Sequence, residues 1–131
     1  DGIPYMDGGL ADSIPIEYAL EKGNDKIVVV LTRNPGYRKK RALKATEQLY
    51  KRAYKKYPNL VRAIMTRNAV YNRQMKLIEK LEEEGKIFVI RPLIPTVSRM
   101  EKDYDKLQHF YMHGNRLMKK EYQGLLEYLN E

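Results

Sequence analysis

The sequence predicts an α/β fold: part of a parallel sheet with a helical C-terminal region. Three observations lead there. Ile27-Val28-Val29-Val30-Leu31 is an unbroken apolar run rich in β-branching, the pattern of a strand covered on both faces, and such strands belong to parallel sheets. Lys86-Ile87-Phe88-Val89-Ile90-Arg91 repeats the arrangement of a lysine followed by an apolar run. The stretch between the two runs, and everything after Ser98, carries apolar residues at helical spacing. Strand, helices, strand and helix imply a βαβ crossover, so the two strands are expected to be parallel neighbours.

In chain order, Ile3 to Met6 reads as a short extended piece ending in Asp7-Gly8-Gly9, where paired glycines permit backbone angles that a Cβ forbids and a sharp turn follows. Pro15 suits a first helical position, Asp12 and Ser13 are end-cap acceptors before it, and Gly23 suits the far end. A short helix is expected over Pro15–Lys22. Asn24-Asp25 and Asn34-Pro35-Gly36 are turn formers that bracket the first strand.

Between Tyr37 and Tyr57, Ala42, Ala45, Leu49 and Ala53 share one helical face while Lys and Arg crowd the others, and Pro58 ends that helix. Leu60 to Glu84 holds a second helix with Ile64, Tyr71, Met75, Ile78 and Leu81 near one face and Gly85 as its C-terminal cap. Pro92 and Pro95 close the second strand. Ser98-Arg99-Met100-Glu101 has capping-box spacing, so a helix is expected to start close to Ser98. Tyr104, Leu107, Phe110 and Tyr111 continue it, His113-Gly114 marks a break or kink, and Leu117, Tyr122, Leu125 and Leu129 carry the period onward.

Composition narrows the function. At 131 residues, 43% hydrophobic and 32% charged, the chain has the material for one folded core and does not fit a disordered or low-complexity class. The absence of cysteine removes disulfides, Cys-based zinc sites and a Cys nucleophile, and suits a reducing compartment, so a cytoplasmic location is expected. Apolar runs of about five residues are far short of the roughly 18 needed to cross a bilayer. The net charge of +8 is concentrated: Arg33 to Lys56 holds ten basic residues and one acid, Glu47, which leaves the rest of the chain close to neutral.

Nucleophile and metal patterns are sparse. Neither Ser13 nor Ser98 has the flanking glycines of a nucleophile elbow, and both read as turn or cap residues. His109 and His113 lie four apart without a Glu-x-x-His framework and read as partly buried structural residues, so no metal and no cofactor is expected. No phosphate-binding glycine pattern is present.

The runs Tyr5-Met6-Asp7-Gly8-Gly9, Asp12-Ser13-Ile14-Pro15-Ile16, Asp25 to Arg33 and Gly36-Tyr37-Arg38-Lys39 together resemble the bacterial patatin-like phospholipase family. Gly85-Lys86-Ile87 through Ile90-Arg91-Pro92 and Val97-Ser98-Arg99 resemble its later segments. The likeness extends over most of this chain and covers only the family's C-terminal half. It implies a lipid acyl hydrolase that uses a Ser–Asp dyad, with Asp7 as the dyad aspartate and Gly8 and Gly9 leaving room for the serine and substrate. It also implies that the Gly-x-Ser-x-Gly elbow and the oxyanion loop lie upstream, so that these residues act only with the N-terminal half. On this reading residues 1–98 are the C-terminal portion of the catalytic domain and 99–131 a helical extension packing on it.

The basic segment has its own reading. Arg38, Lys39, Lys40, Arg41, Lys44, Lys51, Arg52, Lys55 and Lys56 form a surface attractive to anionic membranes, where each cation near the lipid contributes roughly 1 kcal/mol. Tyr50, Tyr54 and Tyr57 would lie at the headgroup level. The alternative to the hydrolase is thus a non-catalytic basic helical module that binds an anionic membrane or a protein partner. Nucleic acid is disfavoured, since no base-reading module accompanies the charge.

Overall fold

A computed structural model describes residues 2, 5–40 and 44–131. Its elements run α1 (Ile16–Glu21), β1 (Val28–Val30), α2 (Lys44–Ala53), α3 (Pro58–Glu83), β2 (Phe88–Ile90) and α4 (Tyr104–Asn130), with a 3-10 turn at Gly8–Leu10 ahead of them. The protein is mixed α/β, mostly helical, with a small two-stranded parallel sheet. The chain forms two compact units: Asp1–Gly23 with Arg38–Glu79, and Asn24–Tyr37 with Lys80–Glu131.

In the first unit α3 is the element to which the other segments are tied. Met75 and Ile78 are fully buried and Tyr71 nearly so, as the periodicity of this helix predicts. Two sets of polar residues on α3 reach the rest of the unit. Arg67 donates to the Gly9 carbonyl at 2.8 Å, Gln74 to Asp12 Oδ1 at 2.5 Å, and Arg73 pairs with Glu17 of α1 at 3.0 Å. One helical turn apart, Asn68 and Asn72 hold the segment before α2. Asn72 accepts from the Lys39 N–H and donates to the Lys39 carbonyl, both at 2.9 Å, and Asn68 donates to the Lys40 carbonyl at 2.7 Å.

That capture corrects one expectation. Arg38, Lys39 and Lys40 are not helical, because the Asn72 amide satisfies the Lys39 backbone as a neighbouring strand would. Helix α2 spans Lys44–Ala53. Its expected apolar face is not covered: Ala45 and Ala53 are exposed and Leu49 is 66% exposed. Ala42 lies outside the described residues, as do Ile3 and Pro4 of the expected N-terminal extended piece.

The start of the unit differs too. Gly8 and Gly9 do not use left-handed backbone angles; they enter a 3-10 turn, open to any residue, that the Asp7 side chain caps. Helix α1 has no side-chain cap, since Ser13 Oγ donates to the Gly9 carbonyl at 2.9 Å and the Asp12 carboxylate is held by Gln74. Gly23 does end α1 in a left-handed conformation, φ +69°.

In the second unit β1 and β2 pair in parallel, Val28 opposite Phe88 and Val30 opposite Ile90, as expected for a βαβ connection. The bonds from Phe88 N–H to the Ile27 carbonyl and from Leu31 N–H to the Ile90 carbonyl extend the ladder. Coverage is one-sided. Ile27, Val29 and Leu31 are buried while Val28 is 39% and Val30 70% exposed, since alternate residues of a strand face opposite sides of the sheet. Helix α4 comes close to β2 at Gly124, where a Cβ would lie 3.7 Å from the Phe88 ring.

Tyr128, near the end of α4, ties both strands. Its phenol accepts from the buried Ile27 N–H at 2.9 Å and lies 3.1 Å from the Lys86 carbonyl, and its ring packs on Phe88 at 5.8 Å between centroids. Beyond the strands, Asn34 donates to the carbonyls of Pro92 and Ile94, and Arg33 to Thr96. Asn34-Pro35-Gly36 is the expected turn, with Gly36 at φ +74°.

Two expectations about the C-terminal region fail. The helix starts at Tyr104, not near Ser98, because Glu101 Oε1 folds back onto the N–H groups of Lys102 and Asp103, and Asp103 then caps the helix. Ser98 forms a turn in which its Oγ accepts from the Met100 N–H. Helix α4 is continuous through His113-Gly114, with no break. His113 is half-buried and accepts from the Leu93 N–H at 3.1 Å, whereas His109 is exposed.

Candidate functional site

Asp7 stands at the N-cap of the 3-10 turn and is exposed. Its Oδ1 accepts from the Gly9 N–H at 2.7 Å, which fixes the carboxylate against its own turn; among the described residues Oδ2 has no partner. The turn is pinned from behind. The Gly9 carbonyl accepts from Ser13 Oγ at 2.9 Å and from Arg67 Nε at 2.8 Å, so both of its lone pairs are used.

At Gly9 the constraint is space rather than angle. A Cβ there would lie 3.1 Å from Asp7 Oδ1 and 3.8 Å from the Arg67 guanidinium, whereas one on Gly8 would meet nothing within 4 Å. The result is a carboxylate held at one oxygen, open at the other, on a turn braced by a cation. Such a group can accept a proton from a hydroxyl brought to its open oxygen. Neither serine of this chain serves as that hydroxyl, because Ser13 is bound to the Gly9 carbonyl and Ser98 caps its own turn.

The basic residues differ in their immediate partners. Arg38 pairs with Glu79 at 2.5 Å and Lys39 lies 4.0 Å from the centre of the Tyr71 ring. Lys51 pairs with Glu47 at 2.8 Å. Lys40, Arg52, Lys55 and Lys56 are exposed. Arg41 and the Lys44 side chain lie outside the described residues.

Arg67, Asn72 and Gln74 are site-supporting residues that sequence reasoning did not single out. Their partners are a carbonyl, a backbone pair and a carboxylate about 30 to 60 residues away, and no local pattern marks such contacts. Gln74 is 1% exposed, and among the described residues its Oε1 has no hydrogen-bond partner. Among the described residues no group of three His, Cys, Asp or Glu side chains could hold a metal ion. Nor is any helix there long and apolar enough to cross a membrane.

A family model, DUF6363, described as a domain of unknown function, matches residues 57–130, which include all of α3, β2 and α4. No curated protein matches the chain, and no solved structure matches it.

Proposed function

The chain belongs to the DUF6363 family, a domain of unknown function, and we propose, on the resemblance of its sequence runs, that it is the C-terminal part of a patatin-like serine acyl hydrolase acting on lipid esters. In this reading Asp7 is the base of a Ser–Asp dyad, and the serine comes from a segment carrying Gly-x-Ser-x-Gly. The observation that carries it is the Asp7 carboxylate: anchored at 2.7 Å through Oδ1, open at Oδ2, and set in the run that resembles the family.

The chemistry needs little more from this chain. As the serine oxygen attacks the ester carbonyl, its proton passes to Asp7; when the tetrahedral intermediate collapses, Asp7 returns the proton to the departing alcohol. Water then attacks the acyl-enzyme with Asp7 again as base, and the proton returns to the serine as the carboxylic acid leaves. Arg67 and Ser13 act at one remove, holding the Gly9 carbonyl so that the carboxylate does not swing during two proton transfers. The exposed Val28 and Val30 support the same reading, since a parallel hydrolase sheet has helices on both faces, and the N-terminal half would cover this one.

The test is covalent labelling of the full-length protein with a fluorophosphonate. Labelling of a serine outside residues 1–131, lost in Asp7→Asn, is the expected result. Labelling of Ser13, or of no serine at all, would remove the proposal.

A further inference from the structure

Helix α2 and the first turns of α3, both in the first unit, border a groove of about 410 Å³. Its volume is in the range of small-molecule sites, roughly 300–1,000 Å³. The apolar lining comes from Tyr54 at the end of α2 and from Pro58, Val61 and Met65, which recur every three or four residues along α3. Tyr54 is steadied by stacking on Tyr50, with ring centroids 6.1 Å apart and planes 21° from parallel.

The rim is cationic. Lys51 and Glu47 neutralise each other at 2.8 Å, which leaves Lys55 and Arg62, both exposed and without an acidic partner among the described residues. An apolar trough with two uncommitted cations at its edge matches one ligand chemistry: a hydrocarbon chain bearing an anionic head.

We propose that this groove binds a single-chain anionic amphiphile, its chain along Tyr54, Val61 and Met65 and its head between Lys55 and Arg62. The site is separate from Asp7 and does not depend on its role.

The probe is dodecanoate below its micelle concentration, added to the protein with 13C-methyl methionine. The chain has six methionines, so the site can be read directly. The Met65 methyl should shift with saturation, while Met112 and Met118 on α4 should not. Dodecyl maltoside, with the same chain and a neutral head, and acetate, with the charge but no chain, should bind at least about tenfold more weakly. Lys55→Glu with Arg62→Glu should lower dodecanoate affinity about tenfold or more with unchanged circular dichroism, and Met65→Gln should do so independently.

Equal affinity for dodecyl maltoside, or shifts at Met112 and Met118 as large as at Met65, would mean only general adsorption of a chain and would overturn the proposal. Binding to anionic vesicles or to an acidic peptide without saturable binding of monomeric dodecanoate would overturn it in favour of a macromolecular partner.

Discussion

Arg67 Nε donates to the Gly9 carbonyl across 58 residues of sequence, at 2.8 Å, and so fixes the turn that presents Asp7. The bond is charge-assisted and only half-buried, so Arg67→Met should lower the stability of the folded protein by about 1 kcal/mol. In the full-length protein the proposed role of Asp7 as base predicts that it lowers kcat more than it raises KM, because a loosened base affects proton transfer and not ester binding. Denaturant unfolding together with steady-state kinetics checks both halves.

The two glycines after Asp7 should behave differently. Gly9→Ala places a methyl 3.1 Å from Asp7 Oδ1, so the carboxylate must shift by a few tenths of an ångström, and on the proposed reading ester turnover by the full-length protein should fall. Gly8→Ala meets nothing within 4 Å and should leave the fold intact. Equal turnover in Gly9→Ala and the parent would show that the carboxylate position is not critical.

Tyr128→Phe removes one oxygen that accepts from the Ile27 N–H and lies within hydrogen-bond distance of the Lys86 carbonyl. The Ile27 N–H is buried, and leaving it unpaired should cost about 1–3 kcal/mol of stability, read by denaturant unfolding. Its amide should also exchange faster with deuterium, because the ends of both strands lose their common anchor.

Asp103 supplies a pH-dependent test. Its carboxylate accepts from the Lys106 and Asp105 N–H groups beside the Lys106 ammonium, which holds its pKa below the usual carboxylate range. A folded-state pKa below the unfolded one means that the cap stabilises at and above the ordinary pKa and loses its effect as pH falls through the lowered value. Asp103→Ala should therefore lower Tm at neutral pH, and the difference from the parent should close at strongly acidic pH.

These sites differ in how far they can be read from sequence. The β-branched run at Ile27–Leu31 and its counterpart at Ile87–Ile90 are local signals, and they do form parallel strands. Helix α3 was legible because Tyr71, Met75, Ile78 and Leu81 recur at the helical period, and Gly85 ends it at φ +68°. The basic segment misled because periodicity cannot register a competing partner: the Asn72 amide takes both backbone groups of Lys39 from 33 residues away. The capping-box spacing at Ser98 misled for a related reason. Glu101 has two acceptor oxygens and uses one on the N–H groups that follow it, after which Asp103 offers a second cap. The resemblance singles out Asp7, but its bracing by Arg67 is not legible, since nothing near Arg67 in sequence marks a long-range contact to a glycine carbonyl.

The central claim is that Asp7 is a general base, and the most direct measurement is hydrolysis of p-nitrophenyl esters by the full-length protein and its Asp7→Asn variant, with a folding control. Asparagine keeps the size and the oxygen that accepts from Gly9 but removes the proton acceptor. Turnover should fall by roughly 10²–10⁴-fold, while His109→Ala and His113→Ala keep it. Near-normal turnover in Asp7→Asn, or its loss in either histidine variant, would contradict the assignment.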